Sequence, residues 1–200
     1  MLRKIRIYIC FILFLILTIA VHSCPGVTRL DEGVIAFVQK HLGLLPLWMP
    51  MLPDCILYTV MIIIPLTAFA IFFIKRKLWK DLIFLFSIPL ITFLLNCIIK
   101  PLIKRPRPPI ELQITGIHPD SYSYVSSHSL VTFCLWGMVI FYLYKYSKNQ
   151  TFKISGTMIA LIWILFVGLS RVWLGVHNPT DVLGAYILGL FLLSIYVKFI

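Results

Sequence analysis

The amino-acid sequence predicts an all-α integral membrane protein, a bundle of six transmembrane helices with a short amphipathic interfacial helix between the first and second spans. Three observations carry this. Of 200 residues, 60% are hydrophobic and only 12% charged, whereas soluble domains are roughly half apolar and a quarter charged. Mean hydropathy is +0.98. Six apolar stretches also approach or reach the roughly 17–25 residues that cross a bilayer as a helix. They cover approximately residues 7–22, 55–74, 82–99, 126–144, 154–170 and 179–197, and one membrane domain accounts for 1–200. No internal repeat or low-complexity segment interrupts them.

The first span follows Arg3, Lys4 and Arg6. A basic start, an apolar run and "VHSC" before Pro25 faintly resemble a cleaved secretion signal. His22 fits a cleavage site poorly, so the reading is an uncleaved helix. Next comes "TRLDEGVIAFVQKHLG", with Thr28 as a helix cap and Asp31 three residues on. Leu30, Val34, Phe37, Val38 and Leu42 recur at helical spacing, and Gly43 supplies a stop. The segment predicts an amphipathic helix on the outer leaflet, packed on the bundle as a lid, with Trp48 at interface depth. Pro65 and Pro89 fall inside the second and third spans, where neighbouring helices can satisfy the freed carbonyls.

The net charge of +11 is a topology signal rather than a nucleic-acid patch. Lys75, Arg76, Lys77 and Lys80 link the second and third spans, while Lys145, Lys148 and Lys153 link the fourth and fifth. With Lys198 and the N-terminal cations, eleven of the eighteen basic residues fall on one side, beside a single acid, Asp81. Positive residues in short loops stay cytoplasmic, so both termini are expected there. Cys10, Cys97 and Cys134 read as buried small apolar residues within spans, and Cys24 and Cys55 at the outer edge are candidates for a disulfide. No metal-ligand spacing is present.

The outer charges are concentrated at helix ends: "KPLIKRPRPP" closes the third span, "YVSSHS" opens the fourth, and "SRVWLGVHNPTD" joins the fifth to the sixth. Ionisable residues at membrane depth are functional candidates. Any one of Lys104, Arg105 and Arg107 can be read as a cation snorkelling to lipid headgroups. That reading leaves two histidines and an aspartate at the same boundary unexplained. In "HNPTD", Asn178 suits the N-cap and Pro179 the first helical position. His177 then precedes the sixth span and Asp181 lies one turn on. A carboxylate there can fix the tautomer of the imidazole and leave its other nitrogen free to attack. Ser126 and Ser127 open the fourth helix, whose N-terminus attracts anions. Lys100, Arg107 and Arg171 add cations, and together these groups describe a phosphate pocket.

These residues resemble the three-part signature of the type 2 phosphatidic acid phosphatase superfamily, the lipid phosphate phosphatases. A lysine, six residues and Arg-Pro match at Lys100 and Arg107-Pro108, a register that Arg105-Pro106 does not fit. Ser-Arg, five residues, His, three residues and Asp match at Ser170, Arg171, His177 and Asp181. The middle part, usually Pro-Ser-Gly-His, stands here as Val125-Ser126-Ser127-His128, which puts the loop shape rather than the chemistry in question. The resemblance implies that His177 attacks phosphorus, Asp181 orients it and His128 protonates the leaving oxygen. Lys100, Arg107, Arg171, Ser126 and the Ser127 backbone would hold the phosphoryl oxygens, with no metal and no cofactor.

The expected partner is a phosphorylated membrane lipid, of undecaprenyl pyrophosphate, phosphatidylglycerol phosphate, phosphatidic acid or lipid A type. The expected place is a bacterial inner membrane, with the site facing the exterior. A lipid-to-lipid phosphotransferase would use the same residues. A non-catalytic anion or lipid carrier would need the cations but not the His177–Asp181 pair. The lipid itself, the acceptor and the oligomeric state are not encoded in these motifs.

Overall fold

The structure is a computed structural model that describes residues 2–54, 56–114 and 121–199. Eight α-helices follow in order among the described residues: α1 (Leu2–Ser23), α2 (Pro25–Leu42), α3 (Trp48–Met51), α4 (Ile56–Lys75), α5 (Trp79–Ile103), α6 (Ser127–Tyr146), α7 (Gln150–Trp173) and α8 (Pro179–Phe199). Single 3-10 turns at Leu52–Asp54 and Ile110–Leu112 complete the regular structure. Helices α1, α4, α5, α6, α7 and α8 are long and apolar enough to cross a membrane. Among the described residues there is no strand.

α6 lies at the centre, packed against α5, α7 and α8. Leu130, Leu135, Met138 and Tyr142 of α6 are fully buried. On the outer helices the apolar residues point the other way: Ile12, Ile16 and Ile19 of α1, Ile83, Phe86 and Leu90 of α5, and Ile159, Ile162 and Leu165 of α7 are exposed. A soluble protein would hide them, but here hydrocarbon is the solvent. At one end, Asp81 accepts from Lys145 Nζ at 2.8 Å and from the Tyr146 hydroxyl at 2.7 Å. Phe69, Phe72, Phe73 and Tyr142 pack beside this cluster. The ends of α5 and α7 and the starts of α6 and α8 gather at the opposite end.

Three of the differences between element ends and the sequence reading have a local cause. α2 starts at Pro25, not after Thr28, because proline's fixed φ suits the first helical position. Thr28 is therefore inside the helix, and Cys24 stands at the N-cap without a side-chain cap bond. The helix does stop before Gly43, although that glycine is right-handed (φ −64°). Second, α5 runs one turn past 99 to Ile103 and ends on a left-handed Lys104 (φ 52°). Pro106 disfavours a helical Arg105, so the chain leaves α5 extended. Third, α7 begins at Gln150, where the Asn149 side chain accepts from Phe152 N at 3.0 Å, and it continues through Arg171 to Trp173.

α2 lies on the bundle and faces outward at once. Ile35 is buried against Val172 and Val182, while Leu30, Val34 and Phe37 are exposed. Trp48 on α3 is exposed too. Cys97 is exposed on α5 rather than buried, so its apolar surroundings are lipid. Cys55, and with it the candidate disulfide, lies outside the described residues.

Candidate active site

A cavity of about 480 Å³ opens where α5, α6 and α7 end or begin, lined by Lys100, Arg107, Ser127, His128, Arg171 and His177. Asp54 also lines it, as do Phe93, Cys97 and Pro101 on the exposed side of α5. The cavity thus has one wall of cations and imidazoles and another continuous with the lipid-facing surface. An apolar groove at the other end of the bundle, lined by Phe69, Trp136 and Phe152 among others, has no cation and cannot hold a phosphate.

Each cation is held by a main-chain oxygen or a carboxylate. Lys100, in the last turn of α5, donates to Tyr122 O at 2.6 Å. Arg107 donates from Nε to Ser121 O at 2.8 Å and from Nη1 to Val176 O at 2.6 Å, tying the segment after α5 to the one before α8. Burial and the Arg171 charge push the Arg107 guanidinium below its ordinary pKa, and Asp181 opposes them. Arg171, only 2% exposed, donates from Nη1 to Asp54 Oδ1 at 2.6 Å. Asp54 Oδ1 also lies 3.6 Å from His128 Nε2. A carboxylate of this chain therefore occupies the arginine that an anionic ligand would seek.

His177 precedes α8, is 4% exposed, and lies with Nδ1 3.4 Å from Asp181 Oδ2. That is long for a hydrogen bond, and no other partner meets this buried nitrogen. Burial pushes the imidazole down to about 4, with Arg107 and Lys100 acting in the same direction and Asp181 against it. His177 is thus neutral at neutral pH, the form that can act as a nucleophile. Asp181 Oδ2 accepts from Asn178 N at 2.8 Å, the carboxylate half of a capping box at the start of α8. Its Oδ1 accepts from Arg105.

The structure brings Lys100, Arg107, Ser127, His128, Arg171 and His177 to one cavity and places Asp181 behind His177. Ser126 is fully buried, accepts a hydrogen bond from Ser129 Oγ at 3.0 Å, and does not line the cavity. The first N–H groups of α6 have no intrahelical partner and remain available at its N-terminus.

The sequence reading missed three residues. Arg105 does not snorkel: it is 5% exposed and bonded to both Asp31 and Asp181. Asp31 is a buried partner, not a capping-box residue of its own helix. Asp54 was not singled out. One signal pointed to the two aspartates: the chain has only seven acids, and a carboxylate buried in an apolar chain is costly unless it is paired.

Comparison with known proteins finds relatives of this chain. The pattern of the PAP2 superfamily matches residues 80–200. Phosphatidylglycerophosphatase B of Bacillus subtilis (strain 168) is 36% identical over 126 residues, covering 60% of this chain and 58% of that protein. Lipid phosphate phosphatase delta of Arabidopsis thaliana is 28% identical over 114 residues, covering 52% of this chain and 27% of that protein. The matched region therefore spans little more than half of the first relative and about a quarter of the second. The crystal structure of a transmembrane PAP2 type phosphatidylglycerolphosphate phosphatase from Bacillus subtilis superposes with a TM-score of 0.78 at 29% identity, covering 97% of this chain and 95% of that one.

Proposed function

Because the chain belongs to the PAP2 superfamily, we propose that this integral membrane protein is a lipid phosphate phosphatase working through a phosphohistidine. One observation carries the reading: a buried, neutral imidazole backed by a carboxylate stands in the same cavity as three cations and a helix N-terminus. An anion carrier would use the cations but has no need for the His177–Asp181 pair.

In this mechanism Lys100, Arg107 and Arg171 bind the phosphoryl oxygens, displacing Asp54 from Arg171. The Ser127 backbone N–H adds a donor, and Ser126 contributes by shaping the turn from behind. His177 forms the N–P bond as the bond to the leaving oxygen breaks. His128 gives that oxygen its proton, then takes one from the water that attacks phosphorus and returns His177 free. The fixed cations stabilise the charge on the equatorial oxygens, the work that a metal does in other phosphoryl transfer sites.

Both termini lie on the cytoplasmic side in this reading, supported by the basic loops, and the cavity opens on the outer face. Phosphatidylglycerophosphate is the first substrate to test, since the bacterial relative and the matching crystal structure are both named for it. Purified protein should release phosphate from it in excess chelator, and His177→Asn should abolish release. Release that survives His177→Asn, or that chelator stops and Mg²⁺ restores, would overturn the mechanism.

A further inference from the structure

Asp31 belongs to α2, outside the cavity, yet is only 2% exposed. Its carboxylate meets three donors from two other segments. Thr180 N lies at 3.0 Å from Oδ1, while Thr180 Oγ1 and Arg105 Nη2 each lie at 2.6 Å from Oδ2. Thr180 N is one of the unpaired amides in the opening turn of α8, so α2 supplies the anion at the N-terminus of another helix. Arg105 then bridges onward, donating from Nη1 to Asp181 Oδ1 and to Thr180 Oγ1 at 2.7 Å.

The charges of this cluster bear on His177. Arg105 against Asp181 alone would be a neutral pair, and a neutral pair does little for an imidazole that gains positive charge as it bonds to phosphorus. The other charged groups acting on His177, Lys100 and Arg107, are both cations. With Asp31 present, two carboxylates share one guanidinium, and a net negative charge remains in a buried setting where it is weakly screened. We propose that Asp31 is a positioning residue for the reaction: by engaging Arg105 from α2, it leaves the negative charge of Asp181 uncancelled and aimed at His177. The inference rests on the reading of His177 as nucleophile.

The test separates charge from structure. Asp31→Asn keeps an oxygen for the Thr180 amide but removes the charge, and adding Arg105→Gln removes the cation that Asp31 balances. Rates on p-nitrophenyl phosphate would be measured for full-length wild type, Asp31→Asn, the double variant and His177→Asn in detergent. Losing an outer partner of a metal-ligating residue typically costs about 10- to 100-fold, and by analogy Asp31→Asn should lose about tenfold or more in kcat. Its KM should stay within about twofold, since phosphate contacts are unchanged. The double variant should recover most of the loss, because the negative charge of Asp181 is then no longer cancelled by Arg105, and a purely structural role for Asp31 predicts no such rescue. Wild-type kcat in Asp31→Asn, or a double variant no better than the single one, would overturn the proposal. Should Asp31→Asn fail to fold, the double variant decides alone: activity near wild type supports the proposal, and an inactive or unfolded protein ends it. Wild-type activity indifferent to His177→Asn would instead sink the phosphatase reading, and this inference with it.

Discussion

His177 and His128 line one cavity and are expected to fail differently. In the proposed mechanism His177 is the nucleophile and His128 the acid, so loss of His177 removes the covalent route whatever the leaving group. Loss of the acid matters in proportion to how badly the leaving oxygen needs a proton, and general acids contribute about 10²- to 10⁴-fold. His128→Asn should therefore lose much more rate on a lipid phosphate than on an aryl phosphate, while His177→Asn should be nearly dead on both. Equal losses of His128→Asn on the two substrates would assign that residue to phosphate binding. The pKa of His177 makes a second prediction. Burial holds it at about 4 against an ordinary 6.5, so the folded protein takes up its proton less readily than the unfolded chain. The stability this group confers is complete above about pH 6.5 and is lost as pH falls from there toward 4. Between pH 7 and pH 5 the melting temperature of wild type should fall further than that of His177→Asn, and parallel falls would refute the shift. His177 and Asp181 were legible in the sequence because both belong to one helix start, four residues apart. Arg105 and Asp54 were not, because their partners lie 74 and 117 positions away. A local pattern cannot pair residues across such separations.

At the level of the helix, the sequence located all six spans, since an apolar run of that length has few alternatives in a membrane. It placed their ends less well. The end of α5 depends on how Pro106 restrains Arg105, and the start of α2 on Pro25 outcompeting Thr28. Amphipathic spacing gave α2 its existence and its two faces, whereas its tie to α8 through Asp31 came only with the fold. The link from α7 to α8 turns on Gly175, which has φ +69° and an α-carbon so close to Leu112 O that any Cβ would overlap it. The same turn is tied down by Gln39, whose Nε2 donates to Leu112 O at 2.7 Å and Trp173 O at 3.0 Å. Gly175→Ala should therefore strain the backbone by about 1–3 kcal/mol before any displacement of Leu112 is counted. A lowered melting temperature in detergent together with reduced turnover would be the signature, and an unchanged protein would show that the turn yields freely.

For the whole molecule, the segregation of basic residues to one end of the bundle predicts that this end faces the cytoplasm. In a background without native cysteines, Glu111→Cys is expected to react with an impermeant thiol reagent added outside intact cells. Lys148→Cys should react only after permeabilisation, and labelling of both from outside would reverse the topology. The cavity wall formed by Phe93, Cys97 and Pro101 has a kinetic meaning as well, because these residues are exposed along α5, where the bilayer lies. In the proposed function, a lipid phosphate that enters past them never leaves its leaflet, so the concentration that sets the rate is two-dimensional. At fixed bulk substrate, diluting the lipid phosphate with inert detergent should slow turnover in step with its mole fraction. A soluble aryl phosphate, which arrives from water, should be indifferent to the same dilution. If both substrates responded alike, lateral delivery would be excluded and the lipid would have to be lifted from its leaflet before it met His177.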